Sequence, residues 1–252
     1  MTIARILNIS AYKFVRLDDA PALRERLFAS AQALGLKGTV LLAEEGINLF
    51  LAADQAPLRA FVAELRADPR LADLDPKESW SDDVPFGKLL VKVKPEIIRM
   101  NRPAIRPDRA PRAPALAPET LARWLDQGRD DEGREVVMLD TRNGFEVDYG
   151  AFDDAIDWRL EKFSDFPAAL AAHADDLRDK TVVSYCTGGI RCEKAAIVLE
   201  QQGVAAAVWQ LDGGILKYFE KVAGAPHYRG GCFVFDERES LEPSLQPIAQ
   251  QD

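Results

Sequence analysis

Cys186-Thr187-Gly188-Gly189-Ile190-Arg191-Cys192 is the stretch of this chain best equipped for covalent chemistry. It follows Thr181-Val182-Val183-Ser184-Tyr185, a run expected to form a buried strand, and leads into a helical pattern over 193–202. A thiol at the carboxyl end of a buried parallel strand sits in the crevice where open α/β sheets place their ligands. Gly188 and Gly189 let successive N–H groups curl inward, and such a nest at a helix N-terminus favours an anion. Cys186 is therefore expected to be a reactive thiolate with a lowered pKa. The same cradle suits a persulfide, which is also anionic.

Several other residues bear on that loop. Cys192 can resolve an oxidised or sulfur-loaded Cys186 through a disulfide, or can simply be a small residue packed on the sheet. Arg191 is expected to orient the loop or to offer a positive charge to a substrate. Asp140 and Arg142 are expected to brace the loop region through hydrogen bonds, and Cys232 to be structural. Glu44, Glu45 and Asn48 flank Gly46 and read as turn residues. A phosphatase of related fold would need five residues between cysteine and arginine. Only four separate Cys186 from Arg191, so the shorter loop suits a sulfur atom better than a phosphate. Of the three cysteines and two histidines, only His227 and Cys232 approach ligand spacing, so no metal is expected. No glycine fingerprint marks a dinucleotide, and no cofactor is evident.

The elements that must position this loop read as two domains. Residues 118–226 alternate strand and helix: a helix from Pro118 to Gly128, a buried strand Val136-Val137-Met138-Leu139, a helix from near Ser164 or Asp165, the strand before Cys186, a helix over 193–202, a strand at 207–211 and a helix over 215–223. That alternation predicts a parallel sheet with flanking helices. Residues 1–98 read as strand from Ile3 to Phe14, helix capped by Asp19, adjacent strands 39–43 and 47–53, a helix from Pro57, and a last strand over 86–94. The βαββαβ order predicts an α+β ferredoxin-like (acylphosphatase-like) domain. Pro103, Pro107, Pro111, Pro114 and Pro118 mark 99–117 as an extended linker, leaving 227–252 as a C-terminal extension.

Asp140-Thr141-Arg142, Glu146, Gly150, Phe152-Asp153-Asp154-Ala155-Ile156, the Cys186 loop and Leu211-Asp212-Gly213-Gly214 resemble the rhodanese domain in order and spacing. Glu44-Glu45-Gly46-Ile47-Asn48, the stretch from Val91 to Ile98, Glu193-Lys194-Ala195 and Gly231-Cys232-Phe233-Val234-Phe235-Asp236 extend the resemblance to the bacterial rhodanese-containing tRNA uridine hydroxylases. Leu49 departs from the pattern, where relatives often have glycine. The cysteine-bearing tail of many relatives has no counterpart after the Phe-Val-Phe-Asp stretch. The resemblance implies oxygen-dependent conversion of the wobble uridine of certain tRNAs to 5-hydroxyuridine, with molecular oxygen as co-substrate and Cys186 at the persulfide position. The domain chemistry alone favours a sulfurtransferase that passes sulfane sulfur from Cys186 to an acceptor, and a non-catalytic RNA-binding module is a further reading.

The chain of 252 residues carries a net charge of −9, which by itself disfavours a nucleic-acid partner. Yet Lys88, Lys92, Lys94, Arg99, Arg102, Arg106, Arg109 and Arg112 face only Glu96 and Asp108 between positions 88 and 112. Phosphate contacts need a local basic stripe of this kind, so tRNA is expected to bind there. No apolar run reaches membrane-spanning length and no signal peptide is visible, which predicts a cytoplasmic protein without a membrane or stable protein partner.

Overall fold

The computed structural model describes residues 5–248. The chain divides into two compact units, residues 1–98 with 235–238, and residues 99–234 with 239–252.

The first unit contains β1 (Ile6–Phe14), α1 (Ala20–Ala33), β2 (Lys37–Ala43), β3 (Gly46–Ala53), α2 (Gln55–Ala67), β4 (Lys77–Ser81) and β5 (Leu89–Val93). Ile3 and Ala4, expected at the start of the first strand, lie outside the described residues. Pro21 fits the first turn of α1, where a missing N–H costs nothing, and Leu23, Leu27 and Ala31 bury one stripe at helical spacing. Asp19 does not cap this helix with its side chain as expected; both carboxylate oxygens accept from Arg70, at 2.5 and 3.2 Å. Helix packing on the sheet buries Leu42, Ile47, Leu49, Leu51, Leu58 and Phe61 almost completely.

The sheet order is β4-β1-β3-β2-β5, with β2 and β5 parallel and the other pairs antiparallel. The closing strand of the ferredoxin-like pattern is thus Lys77–Ser81, which the sequence reading passed over. The strand expected there, Leu89–Val93, is an additional edge strand beside β2. Lys-Glu-Ser-Trp-Ser has one large apolar residue and little alternation, so its pairing with β1 leaves no clear pattern in the sequence.

The second unit follows as β6 (Ala115–Leu116), α3 (Pro118–Gln127), β7 (Val136–Asp140), α4 (Gly144–Val147), β8 (Gly150–Phe152), α5 (Phe166–Ala172), β9 (Thr181–Tyr185), α6 (Ile190–Gln202), β10 (Ala207–Leu211), α7 (Gly214–Lys221), β11 (Tyr228–Gly230), β12 (Cys232–Phe233) and β13 (Ser240–Leu241). Strands β6-β10-β9-β7 form a parallel sheet, while β8 pairs with β11 and β12 with β13. Every residue of β9 is buried, as is α6 from Ile190 to Leu199.

Residues 99–117 are folded rather than extended. Ile105 N donates to Arg102 O and Arg109 N to Arg106 O, turns in which Pro103 and Pro107 occupy the second position that proline favours. Met100, Ile105 and Ala113 are buried, and Gln210 anchors the segment to β10 through Ala113 O and Pro114 O. The prolines that suggested stiffness here set turns. Residues 227–248 likewise form no separate tail: β11 and β12 join the second unit, while Arg238 donates to Ser79 Oγ within the first.

Candidate active site

Cys186 directly follows β9, and α6 begins four residues later, so the loop is held between a buried strand and the buried first turns of a helix. Gly189 has φ +99°, a conformation glycine adopts at little cost, and its N–H donates to Cys186 Sγ at 3.1 Å. Burial works against an anion at this place. The hydrogen bond from Cys192, the positive charge of Arg191 and the amides of Arg191 and Gly189 outweigh it, and Cys186 is held well below the ordinary thiol range. Burial and the neighbouring Cys186 push the Cys192 thiol in the opposite direction, so the pair shares one proton and Cys192 keeps it. Thr141 Oγ1 lies 3.8 Å from Cys192 Sγ and donates to Tyr185 O at 2.9 Å.

Arg191 is not a surface ion pair. Its guanidinium meets the carboxylate of Glu146 in two bonds of 2.6 and 2.8 Å, with both side chains buried. Glu146 is held in turn by Asn143 N, which donates to Oε2 at 3.0 Å at the start of α4. Asp140 and Arg142 form a second buried pair one layer below, with bonds of 2.6 to 3.1 Å. Arg142 also donates to Gly150 O and Glu146 O, tying β7, α4 and β8 together behind the loop.

The carbonyl side of the loop is fixed by α7. Ile215 N donates to Cys186 O at 3.0 Å and Leu216 N to Thr187 O at 3.1 Å. Gly214 lies so close that a Cβ there would sit 2.4 Å from Cys186 O, and its φ is +66°. This explains the paired glycines of Leu211-Asp212-Gly213-Gly214: the first turn of α7 caps the loop carbonyls only if no side chain intervenes. Cys232 is fully buried, and burial pushes its thiol up to about 12. Among Cys186 to Cys192, only Gly188 rises above the buried range, so the loop faces solvent through that residue.

The structure therefore brings Cys186, Thr187, Gly188, Gly189, Ile190, Arg191 and Cys192 into one site and places Asp140 and Arg142 directly behind it. Sequence reasoning did not single out Glu146, Thr141 and Gly214 as site residues. Glu146 carried a signal, since it stands three residues after Asn143 at a helix start. Glu45 and Asn48 do more than shape a turn. Glu45 accepts from Ile97 N at 2.8 Å and Asn48 donates to Ile97 O at 3.2 Å, fastening the end of the first unit. Among the described residues, no three His, Cys, Asp or Glu side chains are grouped to hold a metal ion.

The basic stripe divides between the units. Lys92 and Lys94 are exposed at and just beyond the end of edge strand β5, with Lys88 exposed just before it. Arg99 and Arg102 are exposed in the second unit. Arg106 donates twice to Asp108, Arg109 approaches the same carboxylate at 3.5 Å, and Arg112 pairs with buried Glu193.

A cysteine cradled between a buried parallel strand and a helix, in a chain whose other unit is α+β with ferredoxin-like strand order, defines a two-domain protein of the rhodanese class. The UPF0176 acylphosphatase-like domain family matches residues 6–97, and the rhodanese-like domain family matches residues 118–221. Over 246 residues the chain is 66% identical to the tRNA uridine(34) hydroxylase of Delftia acidovorans, covering 97% of this chain and 92% of that one. It is 63% identical over 243 residues to the tRNA uridine(34) hydroxylase of Bordetella avium, covering 96% and 99%. This chain belongs to the tRNA uridine(34) hydroxylase family.

Proposed function

We propose that this protein is a tRNA-modifying enzyme that hydroxylates uridine 34 to 5-hydroxyuridine, with Cys186 as its reactive thiolate. The observation that carries this reading is identity of 59% to 66% along almost the whole chain with relatives bearing that name. The site supports it, because the Cys186 anion is built in by Gly189, Arg191 and the Glu146 brace rather than left to chance. Molecular oxygen is the co-substrate. One of its atoms enters the uracil C5–H bond, the other leaves as water, and the balance calls for a two-electron donor. The protein acts where tRNA is, in the cytoplasm; among the described residues no helix is long and apolar enough to cross a membrane. The tRNA backbone rests on the exposed cations among Lys88, Lys92, Lys94, Arg99, Arg102, Arg106, Arg109 and Arg112.

Sulfur transfer is the second reading, favoured by one feature: the amide cradle around Cys186 suits a persulfide as well as a thiolate. An inert RNA-binding module fits poorly with a thiol so elaborately ionised. Mass analysis of nucleosides from tRNA incubated with the pure protein and a two-electron donor, with and without oxygen, separates the three. Hydroxylation adds one oxygen to uridine only when oxygen is present. Sulfur incorporation supports the second reading, and unchanged nucleosides the third.

A further inference from the structure

Two of the few large apolar side chains that stay exposed lie beside the reactive loop. Phe145 is 47% exposed on α4 and Tyr149 is 39% exposed just before β8. Both rings pack on the half-buried ring of Phe233 in β12, with centroids 5.2 and 5.0 Å apart. Each flank of this cluster is bonded to the Cys186 loop. Thr187, the residue after the thiol, donates its hydroxyl to Phe233 O at 3.5 Å. Glu146, the neighbour of Phe145 in the chain, grips Arg191.

We propose that Phe145, Tyr149 and Phe233 form a stacking platform for an unpaired nucleobase of an RNA loop at the mouth of the Cys186 site. The cluster is entirely aromatic. Phe145 and Tyr149, packed on Phe233, keep ring surface exposed, and aromatic faces of this kind are what proteins offer to unstacked bases. Stacking on aromatic faces is also how proteins hold bases splayed out of a single strand. The place of the cluster fits a substrate presented beside an enclosed sulfur, since both loop flanks would sense a base resting there. The inference rests on the proposed action on tRNA, and it adds the surface that receives the unpaired base.

The test uses the full chain and a fluorescently labelled RNA hairpin whose single-stranded loop holds one uridine, its other loop positions being abasic, read by anisotropy. Phe145→Ala and Tyr149→Ala should each weaken binding about ten-fold, as loss of one stacked base predicts. Phe145→Tyr should retain affinity. Phe145→Leu, which keeps the bulk without the π face, should fall with the alanine variants and carries the test if Phe145→Ala fails to fold. A hairpin with an abasic site in place of that uridine should bind wild type and Phe145→Ala alike, because the lost contact is already gone. Wild-type affinity in the alanine and leucine variants, or an equal loss on the abasic hairpin, overturns the platform. So does a shift in sedimentation without a change in RNA affinity, which would make the face a contact between copies. If the platform fails while wild type still forms 5-hydroxyuridine, the hydroxylase reading survives it. Stacking without any 5-hydroxyuridine from whole tRNA leaves the platform and removes the hydroxylase reading.

Discussion

At Cys186 three local sources of positive potential outweigh full burial: amide N–H groups, a hydrogen-bonding thiol and the Arg191 guanidinium. Alkylation rates followed against pH should therefore show a midpoint well below the ordinary thiol value of about 8.5. Arg191→Met removes the nearest charge and should move that midpoint upward; an unmoved midpoint would place the whole effect in the amides and the Cys192 thiol. Because the folded chain binds the Cys186 proton less tightly than the unfolded one, the thiolate stabilises the fold fully above about pH 8.5. That contribution is lost as pH falls through the lowered folded value. Thermal unfolding of wild type minus Cys186→Ser should show this slope, which vanishes if the thiol is ordinary. In the nucleoside assay, Cys186→Ser should abolish 5-hydroxyuridine, whereas Cys192→Ser should keep part of it, since only Cys186 receives the Gly189 N–H. Equal loss from both would make the two sulfurs a single working unit.

Two elements outside the loop decide its shape. Helix α4 supplies Glu146, and cutting that carboxylate away in Glu146→Ala leaves the buried Arg191 charge without its carboxylate partner. Denaturant unfolding should report a loss of about 3 to 5 kcal/mol; a loss below about 1 kcal/mol, the range of exposed pairs, would mean the pair is not buried in solution. Helix α7 supplies the N–H groups that hold Cys186 O and Thr187 O. Gly214→Ala places a methyl against those carbonyls at a positive φ, with an expected loss of about 1 to 3 kcal/mol from the backbone strain alone. Its Cys186 alkylation midpoint should rise as the cradle opens. An unaltered midpoint and stability would show that α7 is a bystander.

At the scale of the molecule, net charge misleads. A chain at −9 disfavours a polyanion as a whole, and the stretch from position 88 to 112, where the sign reverses, is the surface proposed above for tRNA. The structure ranks the members of that stretch. Arg106, Arg109 and Arg112 each face a carboxylate, whereas Lys88, Lys92 and Lys94 stand exposed around the edge strand. Reversing those three lysines to glutamate together should weaken tRNA binding strongly and flatten its dependence on salt, because fewer counterions are released. The same edge strand then has a second use for its lysines, since charged edges discourage strand-to-strand aggregation. Unchanged affinity with an unchanged salt slope would assign the lysines to that protective use alone.

What the sequence by itself determined is everything that is local along the chain. The thiol at the end of an apolar run, the glycines after it and the helix that follows are contiguous, and contiguous residues leave periodic and compositional traces. So do the alternating strands and helices of the second unit and the first three strands of the first. What only the tertiary structure decided depends on partners distant in the chain. Lys77–Ser81 becomes a strand because β1 offers it a ladder, not because its side chains alternate. The proline stretch folds because Gln210, nearly a hundred positions later, takes its carbonyl. Glu45 and Asn48 serve Ile97, and Glu146 serves Arg191, across gaps that no spacing rule spans. Buried polar groups must find partners wherever the fold brings them, and that pairing is a property of three-dimensional packing rather than of neighbours in the chain.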